Sequence, residues 1–149
     1  MRYFGLRMPL IFFFHAMITW ALVGMIWHVQ RVQYPRFFQV GEDAFGRYHM
    51  DHCFRISFMV VPLILLEVAT AGWLIWAGQR GTLFLSSLVL IALAWICTFA
   101  LQVPLHNRLT EGGKSDEMIT RLISTNWLRT VAWTMRGVMV GWMCFGGVG

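Results

Sequence analysis

Residues 83–105 read LFLSSLVLIALAWICTFALQVPL and contain no Asp, Glu, Lys or Arg. That run decides the fold class, because a helix of about 20 apolar residues crosses the hydrocarbon core of a bilayer. Three further stretches share its character. Residues 8–30 carry no charge, residues 56–78 carry only Glu67, and residues 124–146 carry Arg129 and Arg136. The spacing predicts four transmembrane helices at 8–30, 56–78, 83–105 and 124–146. An interfacial helix is the alternative for the last, but the uncharged tail 137–149 favours a span. The expected fold is all-α: a single domain over residues 1–149, forming a four-transmembrane-helix bundle with amphipathic helical connections on one side.

Composition agrees with that class. Of 149 residues, 58% are apolar and 13% charged, against about 45–50% and about 25% in soluble domains. Low charge excludes a disordered chain, and the lack of a basic run excludes nucleic acid as a partner. The lipid bilayer is the partner the composition implies. Residues 8–30 are too long for a signal-peptide core and lack a small-x-small cleavage site, so they read as a retained helix.

Orientation follows from the basic residues. Arg2, Arg7 and Arg80 lie at the N-terminus and the short second connection. Arg31, Arg36, Arg47, Arg55, Arg108, Lys114, Arg121 and Arg129 lie in or beside the two long connections. Positive residues favour the cytoplasm, so both termini are expected outside. The long connections read as structured. Gly41 is a break before an amphipathic segment from Glu42 to Arg55, Ser115 is an N-cap with Asp116 and Glu117 in the first turn, and Pro104 is expected to loosen the end of the third span.

Ionisable groups inside a membrane are costly and are functional candidates by default. Glu67 and Arg136 lie at the same depth in their spans, so they read either as a structural intramembrane pair or as part of an anionic site with Arg129. Asn126, Arg129, Trp133 and Arg136 form one stripe of the last helix. Four of the five histidines (His28, His49, His52 and His106) gather at the cytoplasmic end. His49 and His52, at i and i+3, can face one ligand. With His106, and Gln102 one turn before it, they could ligate a metal or provide an axial ligand to haem. The alternative is that they hydrogen-bond backbone or headgroups. Cys53, Cys97 and Cys144 show neither a disulfide framework nor CxxC spacing and read as packing thiols.

Three blocks carry a resemblance: VQRVQYP (29–35) followed by Phe37; Tyr48-His49-x-x-His52-x-x-Arg55-Ile56; and QVPLHNRL (102–109) followed by NWLRT (126–130). Together they resemble a group of uncharacterised four-helix bacterial integral membrane proteins. The last block is distantly similar to the anthrone-oxygenase-like family, which implies an oxygenase that needs no metal. His15, Trp20 and Gly24 ahead of Tyr34-Pro35-Arg36 resemble the haem-binding protoporphyrinogen-oxidase and copper-resistance membrane proteins, though the residue between Tyr and Pro and a deep lysine are missing.

The leading expectation is a small bacterial inner-membrane enzyme of redox or oxygenase type, acting on a lipophilic aromatic or quinone-like substrate. Tyr48, His49, His52 and His106 would transfer protons or ligate a metal, and Asn126 and Arg129 would hold a developing oxyanion. The alternative is a non-catalytic accessory subunit of a larger membrane complex, or a homo-oligomer, in which the same residues are interhelical contacts.

Overall fold

The computed structural model describes the backbone of residues 2–145 and side chains from residue 10. Gly149, the rest of the tail from 146, and the side chains of Arg2 and Arg7 lie outside the described residues. The fold is an all-α bundle of four long helical rods, with no strand among the described residues. The first rod comprises α1 (Arg2–His28), a π-turn (Val29–Gln33), α2 (Tyr34–Arg36) and a 3-10 turn (Phe37–Gln39). The second is α3 (Glu42–Trp76). The third comprises α4 (Thr82–Cys97), a second π-turn (Thr98–Gln102) and α5 (Val103–Gly112), and the fourth is α6 (Asp116–Cys144).

Three of the rods are long and apolar enough to cross a membrane: Leu10–Gln39, Glu42–Trp76 and Thr82–Gly112. The fourth, α6, has a polar first half, and its Arg136 is turned wholly into the bundle. At 1.5 Å per residue the 35 residues of α3 span about 52 Å. That exceeds a hydrocarbon core of about 30 Å, so one end of the rod projects beyond it.

Local signals explain the ends. Gly41 precedes α3, whose first turn holds Glu42 and Asp43 against the positive end of the helix dipole. The Ser115 side chain accepts from the Met118 backbone N–H at 3.4 Å and caps α6. Gly113, at φ +76° and ψ −162°, adopts a backbone conformation open to glycine and ends α5.

At Pro104, expected to loosen the end of the third span, the rod passes through a π-turn and continues to Gly112. A proline lacks the N–H for the residue four before it and crowds that carbonyl. Here the π-turn Thr98–Gln102 lies just before it, and the π-turn Val29–Gln33 lies in the same relation to Pro35. The wider turn absorbs the clash and rotates the following residues, as π-turns near functional sites do.

The rods α1, α6 and α4 pack closely in sequence, and α3 lies on α1; α3 and α4 form no comparable interface. The core has three parts: a middle cluster around Leu22, Ile26 and Trp133, a second around Phe37, Phe45 and Leu109, and a third around Leu74, Phe84 and Val140. Where α1 meets α6, a Cβ on Gly137 would stand 2.9 Å from Val23 Cγ2, so only glycine permits that approach.

Candidate functional site

The gap between α3 and the third rod is a cavity of about 450 Å³. Its walls are apolar, from Leu22, Ile26, Val60, Ile64, Trp95 and Phe99, and its polar residues include Tyr34, His52, Gln102, His106 and Arg129. Val61, Leu65 and Phe99, on its rim, are about half exposed or more, on the face an apolar medium would cover.

The two π-turns build the polar end. Tyr34 follows the first and Gln102 closes the second, with His106 one helical turn further on. The Tyr34 hydroxyl lies 3.0 Å from His106 Nε2 and 3.4 Å from Gln102 Oε1. Gln102 is held by donating from Nε2 to Thr125 Oγ1 at 2.8 Å. The other nitrogen of His106, Nδ1, lies 2.9 Å from His49 Nε2. His49 Nδ1 in turn lies 3.2 Å from Thr110 Oγ1, whose hydroxyl donates to the His106 carbonyl at 3.0 Å.

The direction of this chain can be deduced. Thr110 has one proton and gives it to a carbonyl, so toward His49 it accepts. His49 then carries its proton on Nδ1 and presents a lone pair at Nε2. His106 donates from Nδ1 to that lone pair and accepts from Tyr34 at Nε2. Tyr34, His106, His49 and Thr110 thus form a continuous line of hydrogen bonds leading away from the cavity wall.

Arg129 is fixed from behind. Its Nη1 donates to Asn126 Oδ1 at 3.0 Å, Asn126 Nδ2 donates to Gln30 Oε1 at 2.7 Å, and Gln30 Nε2 donates to the Ile123 carbonyl at 3.2 Å. Arg129 Nε and Trp95 Nε1 are buried donors with no acceptor among the described residues, and both residues line the cavity. A buried donor left unpaired costs about 1–3 kcal/mol. A ligand carrying acceptor oxygens would relieve that cost.

The sequence-derived residues therefore divide. His106 and Arg129 line the cavity, and His49 joins His106 from behind. His52 also lines it, but through ring faces: its ring lies 6.3 Å from that of His106 and 5.1 Å, edge on, from that of Phe37. Asn126 is fully buried and orients Arg129 rather than facing the cavity. Tyr48 belongs elsewhere and corrects the sequence assignment. Its ring meets Phe37 edge on at 6.2 Å, and it lines a second, smaller cavity with His28, Asp51 and Arg55. One residue of helix is a rotation of about 100°, which turns Tyr48 away from the side His49 occupies.

The tyrosine of the site is Tyr34. In the sequence Tyr34 stands out only within the blocks that carry the resemblance, and the signal that marks it is Pro35, which the preceding π-turn accommodates. Cys53, read as a packing thiol, has Sγ 3.8 Å from His49 Nε2 and 3.6 Å from His106 Nδ1. The three donor atoms proposed for a metal from sequence do not converge, since His52 stays apart while Cys53 closes on the other two.

A second polar centre lies deeper. Arg136 donates from Nε to Glu67 Oε1 at 2.9 Å, from Nη1 to Ser87 Oγ at 2.7 Å, and from Nη2 to His15 Nε2 at 2.8 Å. His15 donates from Nδ1 to Thr70 Oγ1 at 2.7 Å, and Thr19 donates to Glu67 Oε1 at 2.9 Å. His15, Glu67 and Arg136 are all closed to solvent. This centre ties α1, α3, α4 and α6 together and does not line the cavity.

No protein-family model matches the chain, and neither a curated protein nor a solved structure does.

Proposed function

We propose that the cavity binds a lipophilic aromatic or quinone-like molecule entering from the bilayer between α3 and the third rod, and that Tyr34 and His106 exchange a proton with its oxygen. The observation that carries this reading is the pair of unsatisfied buried donors, Arg129 Nε and Trp95 Nε1, on the wall of one apolar cavity. A volume of about 450 Å³ falls in the range of small-molecule sites. Two donors at separate points suit a planar molecule with two oxygens better than a hydrocarbon. A proton arriving at Tyr34 passes to His106 Nε2 while His106 Nδ1–H gives its own to His49. Arg129 stabilises negative charge developing on the ligand oxygen. The activity such a pocket suits is that of a small bacterial inner-membrane enzyme of redox or oxygenase type, with both long connections cytoplasmic.

The test is binding of 2-methyl-1,4-naphthoquinone to the purified chain in detergent, followed by quenching of Trp95 and Trp133 fluorescence and by calorimetry. Saturable binding that weakens about tenfold in Arg129→Gln, the loss expected for one hydrogen bond to a charged donor, supports the reading. Non-saturable quenching, or equal affinity in Arg129→Gln and Trp95→Phe, would sink it.

A further inference from the structure

His49, Cys53 and His106 place three donor atoms in one small triangle. The edges are 2.9 Å between His49 Nε2 and His106 Nδ1, 3.8 Å from Cys53 Sγ to His49 Nε2, and 3.6 Å from Cys53 Sγ to His106 Nδ1. A tetrahedral zinc ion has bonds of about 2.0–2.1 Å to imidazole nitrogen and about 2.3 Å to thiolate sulfur, which separate two nitrogens by about 3.3 Å and a nitrogen from a sulfur by about 3.6 Å. Both sulfur edges match within a few tenths of an ångström, and the nitrogen edge needs to open by a similar amount. No backbone movement is called for.

Two helices carry these atoms. His49 and Cys53 are four residues apart on α3, so their side chains leave one face of one helix. His106 comes from α5 on the facing rod. A site bridging two helices in this way couples metal binding to the packing of α3 against α5.

The surroundings favour the ion as well. Metal-ligating histidines almost always donate their outer N–H to a partner that fixes the tautomer. Thr110 Oγ1 accepts from His49 Nδ1–H, because its own proton is committed to the His106 carbonyl. His49 Nε2 is therefore a lone pair aimed at the triangle. On His106 the outer nitrogen Nε2 faces the Tyr34 hydroxyl, and Tyr34 has a second acceptor in Gln102 Oε1 at 3.4 Å. When Tyr34 donates to Gln102 and accepts from His106 Nε2–H, the inner nitrogen of His106 is a lone pair too. Two inner lone pairs 2.9 Å apart repel. The Nδ1–H tautomer of His106 removes that repulsion with an ordinary hydrogen bond, and a metal ion removes it by binding both lone pairs.

We propose that His49 Nε2, Cys53 Sγ and His106 Nδ1 are protein ligands of a zinc ion, held as a three-ligand site that takes an exogenous fourth ligand. Imidazole and thiolate together suit a borderline-soft ion such as zinc and do not suit magnesium or calcium. Binding displaces the thiol proton of Cys53 to solvent and shifts the proton of His106 from Nδ1 to Nε2, so one divalent ion replaces one proton. The thiolate lowers the net charge of the loaded site to +1, and the nearby Arg129 directs Nη1 to Asn126. Loading also fixes His106 as a donor toward Tyr34, which breaks the line of hydrogen bonds from Tyr34 to His49. The proposal stands on the triangle and its outer partners and does not depend on what the neighbouring cavity binds.

The test uses the full chain without a polyhistidine tag, purified in detergent and stripped with a chelator. Cobalt(II) is titrated as a spectroscopic substitute for zinc, followed by zinc competition and elemental analysis. The expected result is one ion per chain and a thiolate-to-cobalt charge-transfer band bleached by zinc. Cys53→Ser should abolish that band, and Cys97→Ser with Cys144→Ser should leave it unchanged. Thr110→Val should weaken zinc binding by about 10–100-fold, the range for losing an outer-sphere partner. Should His106→Ala fail to fold, Cys53→Ser still decides the matter. A chain that binds no stoichiometric cobalt, or a band that survives Cys53→Ser, overturns the proposal. Cys53→Ser should still bind 2-methyl-1,4-naphthoquinone, so failure here is distinguishable from failure of the cavity reading.

Discussion

Arg136 Nε lies 2.9 Å from Glu67 Oε1, with both side chains closed to solvent. The guanidinium uses its other nitrogens on Ser87 and His15, so one arginine connects α6 to α3, α4 and α1. Removing one member of a buried pair leaves the other charge without compensation, at about 3–5 kcal/mol. Glu67→Gln keeps the shape and removes the charge; it should lose stability of that order, and Arg136→Met should lose at least as much. Replacing both, as Glu67→Leu with Arg136→Met, should recover most of the loss. Thermal unfolding in detergent measures this, and additive losses in the double variant would show that the pair is not a coupled unit.

Close approach of α1 and α6 depends on Gly137. A methyl there would meet Val23 Cγ2 at 2.9 Å and Trp20 at 3.6 Å, whereas at Gly141 the nearest atom is Trp20 Nε1 at 3.4 Å. Overpacking of this kind costs about 1–3 kcal/mol. Gly137→Ala should lower the unfolding midpoint clearly, and Gly141→Ala should lower it less. Adding Val23→Ala to Gly137→Ala should restore part of the loss. Equal midpoints for the two glycine variants would argue against a tight contact at Gly137.

Much of this architecture was legible because hydropathy and depth are properties of a linear sequence. Uncharged runs locate the rods, and equal depth puts Glu67 level with Arg136. Ser115 with Asp116 and Glu117 marks the start of α6. Histidine spacing brings His49 and His106 to one end of the bundle. What stayed hidden depends on rotation about the helix axis. Pro35 and Pro104 are each preceded by a π-turn, which swings Tyr34 and Gln102 toward His106. Such a rotation cannot be counted from residue spacing, so Tyr48, next to His49 in the chain, stands out in the sequence and Tyr34 does not. Cys53 shares the i, i+4 face with His49, and its neighbourhood to His106 emerges only when α3 and α5 are brought together.

Topology follows from the rods themselves. Gly41 and Gly113 lie at junctions on the end that holds the histidines, and Gln79 lies in the turn between α3 and α4 at the other end. With the native cysteines replaced by serine, Gly41→Cys and Gly113→Cys should resist a membrane-impermeant maleimide in intact cells, and Gln79→Cys should react. The arginine count sets that sign. The reverse pattern would invert the orientation while keeping the bundle. Labelling of Gly113→Cys and Gln79→Cys from the same side would contradict the crossing of the third rod.

Tyr34 and Tyr48 make the sharpest comparison at the site. Tyr34 is 3% exposed, its hydroxyl within reach of His106 and Gln102 on the cavity wall, while Tyr48 packs on Phe37 beside the smaller cavity. Tyr34→Phe keeps the ring and its contacts with Phe37 and His106 but leaves His106 Nε2 without a donor. An unpaired buried acceptor costs about 1–3 kcal/mol, some of which a ligand hydroxyl would recover on binding. A hydroquinone, which can donate to His106 Nε2, should therefore keep most of its affinity in Tyr34→Phe. The corresponding quinone, with acceptors only, should lose about tenfold, equivalent to about 1.4 kcal/mol. Tyr48→Phe should change neither. Calorimetric titration of both ligands against the three proteins gives the comparison. Equal losses for quinone and hydroquinone in Tyr34→Phe would mean that the hydroxyl shapes the cavity without exchanging a proton with what it holds.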